Sequence, residues 1–206
     1  MLTLLPAVSG CHILDAGCGG GWYSGQLLGR RARVTAIDAS APLVEHTRRR
    51  LSQYLSGEPA LLQARVANLA EPLDFLPDGS VDGVVSPLVL HYLEDWRPTL
   101  REMRRILKPG GWILLSTHHP GADAAHFPDS PYFETSLVED DWKWVGKVKF
   151  FRRPLTEVTS ALTDVGFVID RLVEPMPTDA FRAIEPDTYQ RLLERPEFLI
   201  VRARVS

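Results

Sequence analysis

The chain has 206 residues, 45% of them hydrophobic and 24% charged, with a formal net charge of −3; that size and balance suit one soluble globular domain with a substantial core. The charge, with no long basic block, argues against a dedicated nucleic-acid binder, and no apolar run reaches the length of a membrane span. Cys11 and Cys18 are too few for a disulfide framework or a zinc site, and Met1 to Gly10 lacks the basic start of a secretion signal, so a cytoplasmic protein is expected.

His12–Ala16 reads as a short buried strand that runs into the glycine-rich turn Gly17-Cys18-Gly19-Gly20-Gly21. Glycine lets the backbone turn sharply and come close to a ligand, and such a turn between strand and helix is where nucleotide-like groups dock. A short helix follows over Trp22–Leu28, then a strand over Val34–Ile37 that ends at Asp38. Ser40 is placed to cap a helix from Ala41 to about Leu55, with Pro42 in its first turn and Gly57-Glu58-Pro59 as its stop. Leu61–Ala67 is a third strand, Asn68 to Ser80 a loop rich in turn residues, and Val81–Val85 a fourth strand. Asp95 is the expected cap of the next helix, whose apolar face is Leu100, Met103, Ile106 and Leu107. Lys108-Pro109-Gly110-Gly111 turns the chain into a fifth strand, Trp112–Ser116.

The alternation then breaks. His118 to about Val148 is rich in proline, aspartate and aromatics without a clear period, and an insertion or lid over about residues 118–150 is expected. A helix over Pro154–Thr163, a strand over Gly166–Leu172 and a last strand over Phe198–Val205 complete the pattern, with no full-length crossover helix between the last two strands. The fold class is therefore α/β: a mostly parallel, doubly wound sheet with an antiparallel strand at its end.

In such a sheet ligands sit outside the carboxyl ends of the strands, which directs attention to Asp15 to Gly19, Asp38, Asn68-Leu69 and Ser86-Pro87. An acid at the end of the second strand, about twenty residues beyond the glycines, is placed to accept hydrogen bonds from two ribose hydroxyls, and Asp38 has that position. Asp15 is also able to brace the turn itself, and Ser86 to serve as a plain turn residue before Pro87. A nicotinamide oxidoreductase would fit this far, but Trp22 stands where the dinucleotide fingerprint wants a small residue.

The stretches Leu14-Asp15-Ala16-Gly17-Cys18-Gly19-Gly20-Gly21, Ile37-Asp38, Leu76 to Val85, His91-Tyr92-Leu93 and Arg105 to Gly111 together resemble the class I S-adenosylmethionine-dependent methyltransferases, in particular their small-molecule group. The resemblance is clear over residues 11–117, and Ala161 to Phe167 matches the approach to the family's sixth strand. It implies a Rossmann-like, seven-stranded sheet, S-adenosyl-L-methionine as cofactor with S-adenosyl-L-homocysteine as product, and a methyl acceptor that is a small molecule, methylated on oxygen, nitrogen or carbon. It further implies that Asp15, Gly17 and Gly19 line the methionine part, that Asp38 holds the ribose, that Asn68 and the Leu69 amide face adenine, and that Ser86 lies beside the sulfonium. Cys18, Tyr23 and Ala39 complete the expected cofactor set. Family members often carry Asp where this chain has Asn68; Asn keeps a carbonyl acceptor.

His91 and His119 are the expected catalytic side chains, with His118 also near the active face, and Tyr132, Trp142 and Trp144 in the insertion are the expected substrate contacts. No metal site is expected, since the His and Asp spacing near His118 matches no standard ligand pattern. Arg152 and Arg153 are expected at the surface near the next helix start, and Glu139-Asp140-Asp141 as a solvated run. Only a short stretch precedes the first strand, where the family usually has a few dozen residues, so the expectation is either a chain truncated at its start or a cofactor covered by the insertion and a partner subunit of a homodimer. No membrane or nucleic-acid partner is expected. A non-catalytic cofactor-binding module, a nicotinamide enzyme and an RNA or protein methyltransferase remain the alternatives.

Overall fold

A computed structural model describes residues 1–56, 60–143 and 145–205. Its elements in chain order begin with β1 (His12–Ala16), α1 (Trp22–Leu28), β2 (Arg33–Asp38), α2 (Ala41–Arg50), β3 (Leu62–Val66), β4 (Val81–Pro87), α3 (Arg97–Ile106) and β5 (Leu107–His118). They continue with α4 (Pro120–His126), β6 (Ser136–Trp142), β7 (Gly146–Arg152), α5 (Leu155–Thr163), β8 (Phe167–Val173), α6 (Asp179–Ile184), α7 (Pro186–Glu194) and β9 (Phe198–Val205).

Seven strands form one sheet in the order β3-β2-β1-β4-β5-β9-β8. β9 runs antiparallel to both β5 and β8, while the pairs among β1 to β5 are parallel. The strand order reverses between β1 and β4, which places a crevice above their carboxyl ends. Successive side chains on a strand point to opposite faces, so each central strand feeds two cores. Leu14, Val84, Ile113 and Leu115 pack with α3 and α5. Ile13, Val85, Trp112 and Leu114 pack with α1, α2 and the first residues of the chain. No helix among the described residues is long and apolar enough to cross a membrane.

Several boundaries differ from the sequence reading. α2 ends at Arg50 rather than near Leu55, because the buried Leu51 leaves helical geometry and a single 3-10 turn, Ser52–Tyr54, follows; the expected stop at Gly57-Glu58-Pro59 lies outside the described residues. α3 has Trp96 rather than Asp95 at its cap position, although the Asp95 carboxylate still accepts the Arg97 N–H at 2.9 Å. Lys108 to Gly111 is a bulge inside β5 and not a gap between elements: Val81 pairs with Leu107 and Gly83 with Trp112, so the intervening residues loop out through Gly110 at φ +72°. The insertion is ordered as α4 and an antiparallel β6–β7 hairpin. Two short helices, α6 and α7, which the sequence reading lacks, join β8 to β9.

Gly83 is required by a neighbour on the next strand, since a Cβ there would sit 2.3 Å from the Trp112 ring. Gly83→Ala is expected to lower stability by about 1–3 kcal/mol through overpacking. The Gly83→Ala/Trp112→Phe double variant is expected to lose less than the sum of its two single changes. Urea denaturation midpoints check this, and strict additivity would show that the ring is not the obstacle.

Candidate functional site

The loop after β1 is held in place by β2. The N–H groups of Gly17 and Cys18 both donate to the Ile37 carbonyl at 2.8 Å. Gly17 has φ +81°, and a Cβ on it would lie 2.2 Å from Val89. Gly19 has φ +50°, and a Cβ on it would meet nothing within 4 Å, so this residue faces open space. Its carbonyl accepts the Thr47 hydroxyl at 2.8 Å and its N–H donates to Asp38 Oδ2 at 2.9 Å. Asp38 Oδ1 accepts the Ser40 N–H at 2.9 Å. One carboxylate thus joins the glycine loop to the start of α2.

A cleft of about 480 Å³ opens here. Gly17, Gly19, Asp38, Ala39, Asn68 and Leu69 all line it, as the sequence reading expects. Asn68 Oδ1 already accepts the Ala70 N–H at 3.0 Å, an Asx turn that fixes the side chain and leaves one lone pair of that oxygen available.

The other four expected cofactor residues stand outside the lining of this cleft. Asp15 is fully buried; its Oδ2 accepts the Ser24 hydroxyl at 2.5 Å, bracing the start of α1, and its Oδ1 has no partner among the described residues. Burial, partly offset by the Ser24 bonds, raises its pKa to about 6. Cys18 contributes its backbone, while its buried thiol packs in the core and is pushed up to about 12, first by burial and then by Asp15 and Asp38. Tyr23 packs beside the same core, edge-on to Trp22 at 4.7 Å. Ser86 is fully buried, with its hydroxyl unpartnered among the described residues.

A second cavity, of about 690 Å³, adjoins the first: Leu88 and Tyr92 line both. Its walls are mostly rings. His91 stacks on His118 at 4.4 Å with 21° between planes, Phe150 stands edge-on to His118 at 4.5 Å, and Trp142 lies 5.6 Å from it. β7 supplies Phe150 because alternate residues Val148, Phe150 and Arg152 face inward while Lys147 and Lys149 face solvent. His118 Nδ1 lies 3.5 Å from Asp123 Oδ1, and both side chains are largely buried. His91 is 2% exposed, and both its ring nitrogens lack partners among the described residues. Burial, followed by the charges of His118 and Arg153, lowers its pKa to about 3.

Of the expected acceptor-site residues, His91 and Trp142 line this cavity, while His119 and Tyr132 do not. His119 is a helix cap: its Nδ1 accepts the Gly121 N–H at 3.1 Å and its Nε2 meets Glu174 at 2.9 Å. The dipeptide His119-Pro120 carries that signal, since proline favours the first helical position and restricts the residue before it to extended backbone. Tyr132 directs its hydroxyl to the Leu155 N–H at 3.3 Å. Trp144 lies outside the described residues.

Arg152 and Arg153 are buried, at 1% and 3% exposure, contrary to the surface expectation. Arg152 donates to the Pro131 carbonyl and Arg153 to the Leu93 carbonyl at 2.6 Å, with the Arg153 guanidinium 4.3 Å over the Trp96 ring. Burial lowers the Arg153 pKa to about 10, which keeps it charged at neutral pH. Phe127 and Phe150, among the aromatics of the expected lid, line the cavity with Asp123, while the residues that sequence reasoning missed are Phe198 and the α7 end of the cavity at Arg191 and Arg195. The alternation of Lys147 to Phe150 carried the signal for the hairpin. Among the described residues no cluster of three or more His, Cys, Asp or Glu could hold a metal ion.

Comparison with known proteins is consistent with this geometry. Residues 14–115 match a family model described as a methyltransferase domain. A crystal structure of an S-adenosylmethionine-dependent methyltransferase from Mesorhizobium loti superposes with a TM-score of 0.78 at 30% identity, covering 98% of this chain and 94% of that one. A Listeria monocytogenes structure assigned to the same class shares the fold at TM-score 0.85 and 22% identity, covering 100% and 94% of the two chains. A Mycobacterium tuberculosis protein, also assigned to S-adenosylmethionine-dependent methylation, is 34% identical over 171 residues, which is 80% of this chain and 52% of that protein. The chain therefore spans about half the length of the first curated relatives it matches.

Two of the displaced titrations, those of His91 and Asp15, have opposite consequences for stability. His91 falls from 6.5 to about 3 on folding, so the unfolded chain binds the extra proton between those values and stability drops as pH falls through that window. Asp15 rises from 3.8 to about 6, so the folded chain binds the extra proton there and stability rises as pH falls. His91→Phe removes the first slope and leaves the second. Between pH 6 and pH 4 its urea midpoint is expected to climb relative to the wild-type midpoint, and parallel curves would show that His91 is not held neutral.

Proposed function

The chain belongs to the S-adenosylmethionine-dependent methyltransferases, and on that premise we propose that it transfers a methyl group from S-adenosylmethionine to a small-molecule acceptor seated in the ring-lined cavity. The observation that carries this reading is the shared wall: Leu88 and Tyr92 separate the cleft holding Asp38 and Gly19 from the larger cavity. A cofactor on one side and an acceptor on the other meet at those two side chains.

The residues present fit the cofactor. Each Asp38 oxygen spends one lone pair on a backbone N–H and keeps acceptor capacity for a ribose hydroxyl. The open face of Gly19 admits a close backbone approach that any side chain would fill. Asn68 offers an amide to the adenine edge, and Leu69 supplies apolar surface beside it. When bound, the cofactor supplies a positively charged sulfur whose methyl is already activated for transfer, which leaves the protein the tasks of holding, orienting and drying. Orientation of the two partners is worth up to about 7–11 kcal/mol of barrier. Phe150 and Trp142, from the hairpin, and Phe198 shield the cavity from water. Tyr92, half exposed and with its hydroxyl pKa raised by burial and by Asp38, remains a neutral donor at the boundary.

Isothermal calorimetry tests the assignment. S-adenosylhomocysteine is expected to bind and NAD not to bind. Asp38→Ala removes two charged hydrogen bonds to ribose and is expected to weaken binding by about 100-fold, equivalent to roughly 1.4 kcal/mol per bond. Unchanged affinity would refute the ribose role of Asp38, and NAD binding with no response to S-adenosylhomocysteine would refute the function.

A further inference from the structure

We propose that His118, held by Asp123, is the general base of this chain, and that the acceptor it serves is a neutral planar ring carrying a weakly acidic hydroxyl, a phenol or an enol. The inference rests on the methyl-transfer reading above and names its acceptor class.

His118 is the last residue of β5, at the carboxyl end of the sheet where the ligand crevice lies, and its ring forms part of the larger cavity's wall. Asp123 reaches it from α4. A carboxylate beside Nδ1 selects the tautomer with the proton on that nitrogen and leaves Nε2 as the acceptor. The 3.5 Å separation is longer than a good hydrogen bond, as is common for catalytic pairs before substrate closes the site. His91, the other ring of the stack, is unsuited to the role. It is buried and stays neutral, so it serves as a flat plate and presents no competing positive charge to a protonated His118.

The acceptor class follows from the walls. His91, His118, Trp142 and Phe150 pack on one another at the spacings aromatic groups prefer and give the cavity a wall of ring surface, which suits a flat guest. Three of the four acids that line the cavity are already engaged, Glu194 being the fourth. Asp140 meets His126 at 3.3 Å and the Trp142 indole N–H at 3.1 Å, Glu197 pairs with Arg191, and Asp123 serves His118. A neutral ring hydroxyl needs a base, and the His118–Asp123 pair supplies one.

The chemistry balances with the cofactor as the sole co-reactant. The acceptor O–H bond breaks, its proton passes to His118 Nε2 and the electron pair stays on oxygen. That pair forms the new carbon–oxygen bond as the methyl–sulfur bond breaks toward sulfur, and His118 then releases the proton to solvent.

The test uses the full chain with 2-naphthol and 4-nitrophenol as acceptor probes at about pH 8, where the nitrophenol is ionised without help. Labelled-methyl transfer to 2-naphthol is expected to fall at least about 100-fold in His118→Gln. Transfer to 4-nitrophenol is expected to fall less than about fivefold, because a substrate that is already an anion needs no base. Asp123→Asn is expected to cost about tenfold or more on 2-naphthol alone, with S-adenosylhomocysteine affinity retained as the check on folding. Equal losses on both acceptors would overturn the proposal. So would methylation of amines or carboxylates with phenols ignored. Failure of wild type to bind S-adenosylhomocysteine is a separate result that removes the methyl-transfer reading itself.

Discussion

A single carboxylate organises the ligand-binding end of this molecule. Asp38 accepts the N–H of Gly19 on one oxygen and that of Ser40 on the other, so the loop after β1 and the start of α2 are fixed to the same rigid group. The Ile37 carbonyl, one residue earlier, takes both the Gly17 and the Cys18 N–H. Charge-assisted hydrogen bonds of this kind are about twice as strong as neutral ones. The loop shape therefore derives from β2 as much as from its own glycines. A ribose recognised by Asp38 would then be measured against the same atom group that sets the loop, and cofactor position and loop position cannot drift apart.

The second constraint lies at the wall between the two cavities. Leu88 adopts φ +54°, a left-handed conformation that is costly for a side chain of this size, by roughly 1–2 kcal/mol. Its N–H is held by the Ser116 carbonyl at 3.0 Å, and Val89 next to it closes on Gly17. Strain of this sort persists where the surroundings over-determine it, and such places are often functional. Here it turns the chain after β4 so that one residue faces both the cleft at Asp38 and the ring-lined cavity.

Much of this was legible in the sequence, for identifiable reasons. β1, α1 and β9 fall where the apolar runs and glycines place them, because buried parallel strands and their turns carry strong local signals. The lining of the smaller cleft was legible at Gly17, Gly19, Asp38, Ala39, Asn68 and Leu69, because the carboxyl ends of successive strands must converge. The ring-lined cavity was less so. β6 places Asp140 on its inward side, where it meets His126 and Trp142, and that inward polar residue conceals the two-residue period. His118 and His119 are adjacent in sequence but opposite in role. Only the ladder, which continues through His118 to its partner Phe198, shows which of them belongs to the sheet. The buried arginines were hidden for another reason. Arg152 and Arg153 follow an alternating strand and precede a helix, a position that composition alone reads as surface.

The hairpin β6–β7 is a sheet of its own, sharing no ladder with the seven-stranded one. Arg152 and Arg153 anchor its end to carbonyls at Pro131 and Leu93 through side chains alone. The hairpin wall of the larger cavity is thereby mechanically separable from the loop that Asp38 holds. Over evolutionary time the roof can be rebuilt, lengthened or exchanged while the Asp38 grip below it is left untouched, so a change of chemical diet need not begin with a change of fold.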